Sequence, residues 1–280
     1  MKKVVYIGNR PKVLESIETN SDLKIVKAFV IEQPLITDSD KYDIIRLCSR
    51  GQKNYLVEGL LELDYDICVS AGCSYILPME RLDSNKIYIN CHPSVLPYGK
   101  GIHPLNECFL SGNNVAGVTI HLLVDELDAG DILNQISFEL TEDVDVSLLY
   151  GFIFDLEAEL LTKTLSDLLK NNLKYNAFPQ KGIGTYYTRE KKIRKFFARE
   201  TSAQEIINNS RAFSASNLGV ILIFDDIQLF VFSIQAIVNK FILERYNKVK
   251  SGTIIFMNRD VALLKMSDGL VKTTKFRVLH

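Results

Sequence analysis

Tryptophan is absent from this 280-residue chain, and cysteine is sparse: five residues, at positions 48, 68, 73, 91 and 108, with no CxxC pair. An odd number at this spacing argues against a zinc site or a disulfide framework, so no metal is expected. It points instead to reduced thiols in a cytoplasmic protein. Long apolar runs are also missing. No stretch approaches the roughly 20 residues a membrane helix needs, and the run after Met1-Lys2-Lys3 is too short for a signal-peptide core. Neither sign of charge is in surplus, with 33 Lys+Arg against 34 Asp+Glu. That speaks against a dedicated nucleic-acid binder, which carries a basic excess. What is present is an ordinary globular composition, 47% apolar. The length suits one large domain with or without a small appendage.

Along the chain, Lys3–Gly8 reads as a buried parallel strand feeding a turn. Pro11 opens a helix with Val13, Leu14 and Ile17 on one face. Leu23–Ile31 reads as a second strand. A helix over 39–49 is expected next, with Ile44, Ile45 and Cys48 on one side, then a helix over 57–63 and strands over 65–71 and 86–91. This β-α-β-α rhythm predicts an α/β fold, a Rossmann-like and mostly parallel sheet covered by helices. No GxGxxG follows the first strand, so it is not a standard dinucleotide site. Two further strands, 114–124 and 131–140, flank the turn Asp125-Glu126-Leu127-Asp128-Ala129-Gly130. A long amphipathic helix over 144–170 follows, then an irregular segment over 179–192. Thr201 is expected to cap a short helix, with Gln204 completing a capping box. Short strands over 220–224, 228–237, 253–257 and 261–266 follow. The expected division is an α/β domain over 1–190 and a small β-rich domain over 200–280.

Ligands of open α/β sheets bind beyond the carboxyl ends of the strands. The strand at 86–91 ends in Asn90-Cys91-His92-Pro93-Ser94-Val95-Leu96-Pro97, whose prolines stiffen the loop. Asn90 and His92 are two apart and face the same way on an extended strand. The amide can steady a developing oxyanion, and the imidazole can exchange a proton near neutral pH. A carboxylate from the Asp125–Asp131 turn can orient the imidazole, and Gly130 frees that turn from a Cβ clash. The other histidines carry less. His121 reads equally as a packed strand residue or a pocket residue, His103 as a capping residue, and His280 as a tail residue. Cys91, between the two site residues, should point into the core and be inert.

The runs INCHPSVLP and GVTIHLLVDELDAGDIL resemble the folate-dependent formyltransferase family. That family includes glycinamide ribonucleotide formyltransferase, methionyl-tRNA formyltransferase and the nucleotide-sugar N-formyltransferases. The resemblance lies in the Asn-x-His-Pro-Ser-x-Leu-Pro loop and, 38 residues after Asn90, the Asp-x-Gly turn at Asp128. It extends to AGCSYILP at 71–78, to QKGIGTY at 180–186 and, more weakly, to IINNSRAFS at 206–214. It implies the formyltransferase fold and 10-formyl-tetrahydrofolate as co-substrate. Asn90, His92 and Asp128 would be catalytic. Tyr75, Ile76, Leu77, Val124 and Asp125 would line the folate pocket.

The acceptor is read from the loops. The segment Glu32–Asp40 is short and acidic, where methionyl-tRNA enzymes carry a basic insertion, and residues 200–280 read as a near-neutral mix; phosphate contacts dominate nucleic-acid affinity. The loop Tyr98-Gly99-Lys100-Gly101-Ile102-His103-Pro104 is similar to the Tyr-x-(Arg/Lys)-Gly-x-x-Pro of sugar N-formyltransferases. Arg10, Ser94, Tyr98 and Lys100 are therefore the candidates for substrate contact. Lys100 serves a diphosphate or is a solvated loop lysine; Arg10 is a phosphate ligand or an ordinary surface residue. The resulting expectation is transfer to the amine of a nucleotide-linked amino-deoxy sugar, with methionyl-tRNA as the alternative acceptor. A formyl-tetrahydrofolate hydrolase is a third reading, against which the lack of an extra N-terminal regulatory domain speaks. A non-catalytic binding module is the fourth. The resemblance also allows a homodimer.

Overall fold

The computed structural model describes the chain except residues 32–35, 37–39, 48–49, 188–193, 216–217 and 280, with the side chain of residue 50 also left aside. Most of the acidic 32–40 segment, Cys48 and His280 therefore lie outside the described residues. By contacts the chain forms two compact units. The first comprises Met1–Pro104, Val115–Glu139 and Gly151–Tyr187, and the second Leu105–Asn114, Leu140–Tyr150 and Thr188–His280.

The first unit is built on β1 (Lys2–Gly8), whose Val4 to Ile7 have no solvent exposure. Helix α1 (Pro11–Glu18) starts on Pro11, whose fixed φ suits a first turn, and buries Val13, Leu14 and Ile17. Strand β2 (Leu23–Ile31) returns parallel to β1. The next element is strand β3 (Asp43–Leu47), not the expected helix. Its two adjacent β-branched isoleucines suit a pleated edge. Pairing with β2 from Lys27 to Ile31 gives this short segment backbone partners, and Ile45 packs on an apolar cluster containing Phe29, Leu56 and Leu60. Tertiary pairing overrides the helical spacing.

Helix α2 (Lys53–Glu62) leads to β4 (Ile67–Ala71), and the chain continues through β5 (Ile87–His92) and the two-residue β6 (Lys100–Gly101) to α3 (Pro104–Leu110). Strands β7 (Val115–Leu122) and β8 (Ile132–Glu139) form a hairpin, and α4 (Val146–Lys170) follows. Strand β9 (Tyr186–Tyr187) pairs with β6. The main sheet runs in the order β3-β2-β1-β4-β5-β7-β8. It is parallel from β3 to β5, while β7 and β8 join antiparallel. This is the expected α/β architecture. The carboxyl ends of β4 and β5 sit beside the β7–β8 turn, and that proximity makes a site.

The second unit holds the β-rich sheet. Strand β10 (Lys195–Phe197) precedes α5 (Ala203–Ala212), then come β11 (Val220–Ile223), β12 (Gln228–Ala236), α6 (Lys240–Arg245), β13 (Thr253–Met257), β14 (Ala262–Lys265) and β15 (Leu270–Leu279). The order is β10-β11-β12-β15-β14-β13. Helix α5 is capped one residue later than expected. Ser202 Oγ accepts from Glu205 N at 3.1 Å, while Thr201 Oγ1 donates to Phe197 O. Helix α6 and strands β10 and β15 are not signalled by the sequence pattern. The ten-residue β15, with Lys272, Lys275 and Arg277, looks polar, yet it lies between β12 and β14 and buries Leu270, Val271 and Thr273.

Candidate active site

The antiparallel register of β5 and β7 sets the site. Asn90 lies opposite His121, and His92 opposite Thr119. All four side chains share one face at the end of the sheet. Asn90 Nδ2 is 3.1 Å from His121 Nε2. His92 is buried, with Nε2 2.9 Å from Gly99 O. A carbonyl only accepts, so this Nε2 carries a proton and donates it, and Nδ1 is left facing Asp128. The distance from His92 Nδ1 to Asp128 Oδ1 is 3.7 Å. This exceeds a hydrogen bond but lets the carboxylate face the ring. The same Oδ1 lies 3.7 Å from His121 Nε2.

Asp128 is held from three sides. Its backbone takes the left-handed φ of 50°, which Asp tolerates better than most residues. Its Oδ2 accepts from Gly101 N at 2.8 Å. Gln180 Nε2 donates to Asp128 O at 2.8 Å and to Gly130 O at 2.9 Å. Gly130 is required by contact: a Cβ there would stand 1.8 Å from Leu122 O. The His92 loop is braced in the same way. Thr119 Oγ1 donates to Ser94 O, accepts from Leu96 N and accepts from Gln135 Nε2, which also reaches Leu96 O. Thr185 Oγ1 accepts from Gly99 N. Thr119, Gln135, Gln180 and Thr185 were not singled out from sequence; only for the 180–186 segment was there a signal, in the resemblance.

His121 is fully packed, with 1% of its side chain exposed. Burial, together with His92 and Lys100 nearby, pushes it down to about 4 from its ordinary 6.5, against the opposing pull of Asp128. His121 is thus neutral at pH 7. Cys91 points into the core beside Glu157 and Arg10, and burial raises its thiol well above the ordinary value, which makes it inert. His103 has a left-handed φ of 59° just before α3, with its ring edge-on to Tyr187.

The remaining candidates fall into distinct places. Leu77 is buried in the core cluster, and Tyr75 packs against it, so Leu77 can offer a ligand its backbone rather than its side chain. Ile76 and Val124 stay exposed, as does Leu127. Asp125 Oδ1 accepts from Met79 N, which ties the 73–79 loop to the 123–128 loop. Ser94 is spent inside its own loop, donating to Tyr98 O, while Tyr98 is half exposed. Lys100 is only 8% exposed as a whole, so its stem packs against the protein. Its ammonium sits 5.3 Å from the Tyr186 ring centre and makes no ion pair among the described residues. Arg10 is not an ordinary surface residue: it stacks 3.9 Å over the Phe154 ring and stands 3.3 Å from Glu157, which is wholly buried on α4. Among the described residues no group of His, Cys, Asp and Glu could hold a metal, and no helix is long and apolar enough to cross a membrane.

An amide, an imidazole and a carboxylate gathered at the carboxyl end of an α/β sheet are groups that an acyl transfer can use. Residues 2–165 match the sequence model of the formyl transferase family, and the chain belongs to that family. It is 32% identical over 230 residues to methionyl-tRNA formyltransferase of Staphylococcus epidermidis, an alignment covering 76% of this chain and 74% of the relative. To the enzyme of the same name from Listeria monocytogenes it is 38% identical over 125 residues, covering 44% and 39%. Among solved structures it is similar to an N-formyltransferase from Helicobacter canadensis, in complex with folinic acid and dTDP-3-aminofucose. The TM-score is 0.74 at 19% identity, covering 99% of this chain and 100% of the other. A 4-N formyltransferase from Francisella tularensis gives a TM-score of 0.63 at 22% identity, covering 80% and 93%.

Proposed function

We propose that the chain is an N-formyltransferase that takes its one-carbon group from 10-formyl-tetrahydrofolate and gives it to the amine of a nucleotide-linked amino-deoxy sugar. Residues 1–190 would form the catalytic domain and 200–280 a small β-rich domain. The donor supplies a formyl carbon bonded to nitrogen. The apolar side chains of Ile76, Val124 and Leu127, left in solvent on two loops joined by the Asp125–Met79 bond, suit a flat ring. Asn90 donates from its amide to the oxygen that gains charge when the amine attacks. Asp128 faces His92, whose Nδ1, with Nε2 donating to Gly99 O, can take the proton from the attacking amine and pass it to the departing nitrogen. One carbon–nitrogen bond forms and one breaks, and tetrahydrofolate leaves.

Lys100 carries the choice of acceptor. The Lys100 ammonium has no carboxylate partner among the described residues, which leaves an anion to meet its charge. A sugar diphosphate bound near the site would do so, with Tyr98 and Arg10 as further candidates. The N-formyltransferase fold neighbour that binds folinic acid and dTDP-3-aminofucose matches this chain end to end, which supports the same reading.

A second reading, methionyl-tRNA as acceptor, is favoured by charge distribution. Residues 188–280 hold 16 Lys+Arg against 8 Asp+Glu, so the near-neutral mix read from 200 onward missed the cations at 189–199, and the whole-chain balance conceals a basic third. The named sequence relatives are also methionyl-tRNA enzymes. The decisive experiment is a formyl-transfer assay with 10-formyl-tetrahydrofolate against UDP-, dTDP- and GDP-linked amino sugars and methionyl-tRNA. Turnover of one nucleotide sugar and none of the tRNA is expected. Activity on tRNA alone refutes the sugar assignment and leaves the catalytic one standing.

A further inference from the structure

We infer that His121 is a positioning residue for formyl transfer, one that orients the Asn90 carboxamide by accepting its hydrogen bond on a ring nitrogen. This rests on the proposed reaction for its kinetic consequence but not for its structural content. A carboxamide has two ends of similar shape and opposite polarity. Only the nitrogen end can stabilise an oxyanion; the oxygen end would repel it. Something must therefore select which end faces the cleft, and β7 supplies it.

His121 lies directly across from Asn90 in the β5–β7 register. Its Nδ1 is 2.8 Å from the carbonyl of Leu122, which can only accept, so the ring proton resides on Nδ1. Nε2 is then a bare lone pair, 3.1 Å from Asn90 Nδ2. That lone pair takes one amide hydrogen and leaves the other for the reacting oxygen. The arrangement holds only while the ring is neutral, because an imidazolium donates from both nitrogens and would turn the amide over. Burial and the neighbouring His92 and Lys100 all disfavour the charge, outweighing Asp128, whose Oδ1 is 3.7 Å from Nε2. Asn90, His92, Asp128 and His121 form one connected set.

The first arm of the test uses the free protein. Long-range proton–nitrogen NMR of its imidazoles should show His121 neutral with the proton on Nδ1 from pH 5.5 to 8. A proton on Nε2, or charging near pH 6.5, overturns the inference whatever the enzyme's substrate. The second arm is kinetic, with 10-formyl-tetrahydrofolate and the acceptor that turns over in the panel above. His121→Met should lower kcat about 100-fold, the scale of losing an oxyanion donor, with KM for the folate within about threefold. His121→Gln places a side-chain oxygen near the lost Nε2 and should regain at least about tenfold. On an Asn90→Ala background the His121→Met penalty should vanish. A penalty that persists there, or a Gln variant no better than Met, assigns His121 to packing and refutes the orienting role. Failure of every acceptor refutes the proposed function alone, because the NMR arm still decides this one.

Discussion

Gly130 offers the sharpest test of how the site is built. An alanine Cβ at that position would stand 1.8 Å from Leu122 O and 2.7 Å from its carbonyl carbon. Real contacts of this kind stay beyond 3.0 Å, so backbone must move by about 1.2 Å, and no flexible side chain is available to absorb it. Both partners matter. Leu122 O is the group that fixes the His121 ring, and Gly130 is two residues from Asp128, with its carbonyl clamped by the same Gln180. A misplacement near 1 Å at such a site costs about 100-fold in rate, or about 2.7 kcal/mol of barrier. Overpacking costs a further 1–3 kcal/mol of stability, roughly. Gly130→Ala should therefore lose about 100-fold in kcat/KM, lower Tm by several degrees and leave the folate loops able to bind. Gly151→Ala is the control, since its Cβ meets nothing within 4 Å on α4, where alanine is the better helix former. Normal turnover of Gly130→Ala would show that Asp128 and His121 tolerate displacement, and would sink the argument that backbone contacts set the geometry.

His92→Ala should abolish transfer while leaving folate affinity nearly unchanged, by equilibrium binding; retained turnover would remove His92 from the chemistry. Lys100→Met should raise the KM for a diphosphate-linked acceptor about 10- to 100-fold, as for loss of a charged hydrogen bond. An unchanged KM returns Lys100 to a structural role. The pH dependence of stability separates two buried groups. Burial pushes Glu157 up to about 7, against Arg10, so from its ordinary 4.5 up to 7 the unfolded chain releases a proton that the fold keeps, and stability falls as pH rises. His121 is depressed to about 4, so between 4 and 6.5 the unfolded chain binds a proton that the fold refuses, and stability rises with pH. The two slopes offset between pH 4.5 and 6.5. Glu157→Gln removes one of them, and calorimetry should then show unfolding free energy rising by roughly 1.4 kcal/mol per pH unit across that window relative to the parent; parallel curves would refute the opposed titrations.

The parts legible in sequence were those fixed by local pattern. Val4 to Ile7, Leu23 to Ile31 and the Asn90/His92 pair show their strand character directly, and the structure places Asn90 and His92 on the face their spacing predicts. The 43–47 segment was not legible, because two adjacent isoleucines fit a helix face and an edge strand equally until β2 is present to pair with. Lys100 is a second case. Its burial follows from β6 pairing with β9, more than 80 residues away, a contact no local pattern announces. His121 is the third: its spacing allowed packing or a pocket, and only the register with β5 shows it touching Asn90.

The proposed catalytic side chains stand out in the sequence and the acceptor does not, and the geometry explains the difference. Backbone groups anchor three of the four members of the set: Gly99 O holds His92, Gly101 N holds Asp128, and Leu122 O holds His121. Such anchors require an invariant loop path, enforced by Gly130 and by the Thr119–Gln135 brace, and so they leave a recognisable spacing in the sequence. Acceptor recognition has no comparable demand. One cation such as Lys100 can meet a diphosphate, and a surplus of basic residues over 188–280 can meet a polyanion, without fixing any other position. Both proposed acceptors carry phosphate. Whether the acceptor is compact or extended depends on which cations it reaches, and the Lys100→Met variant separates the two: a nucleotide sugar should lose affinity at this one position, whereas an extended polyanion should spread the loss over many.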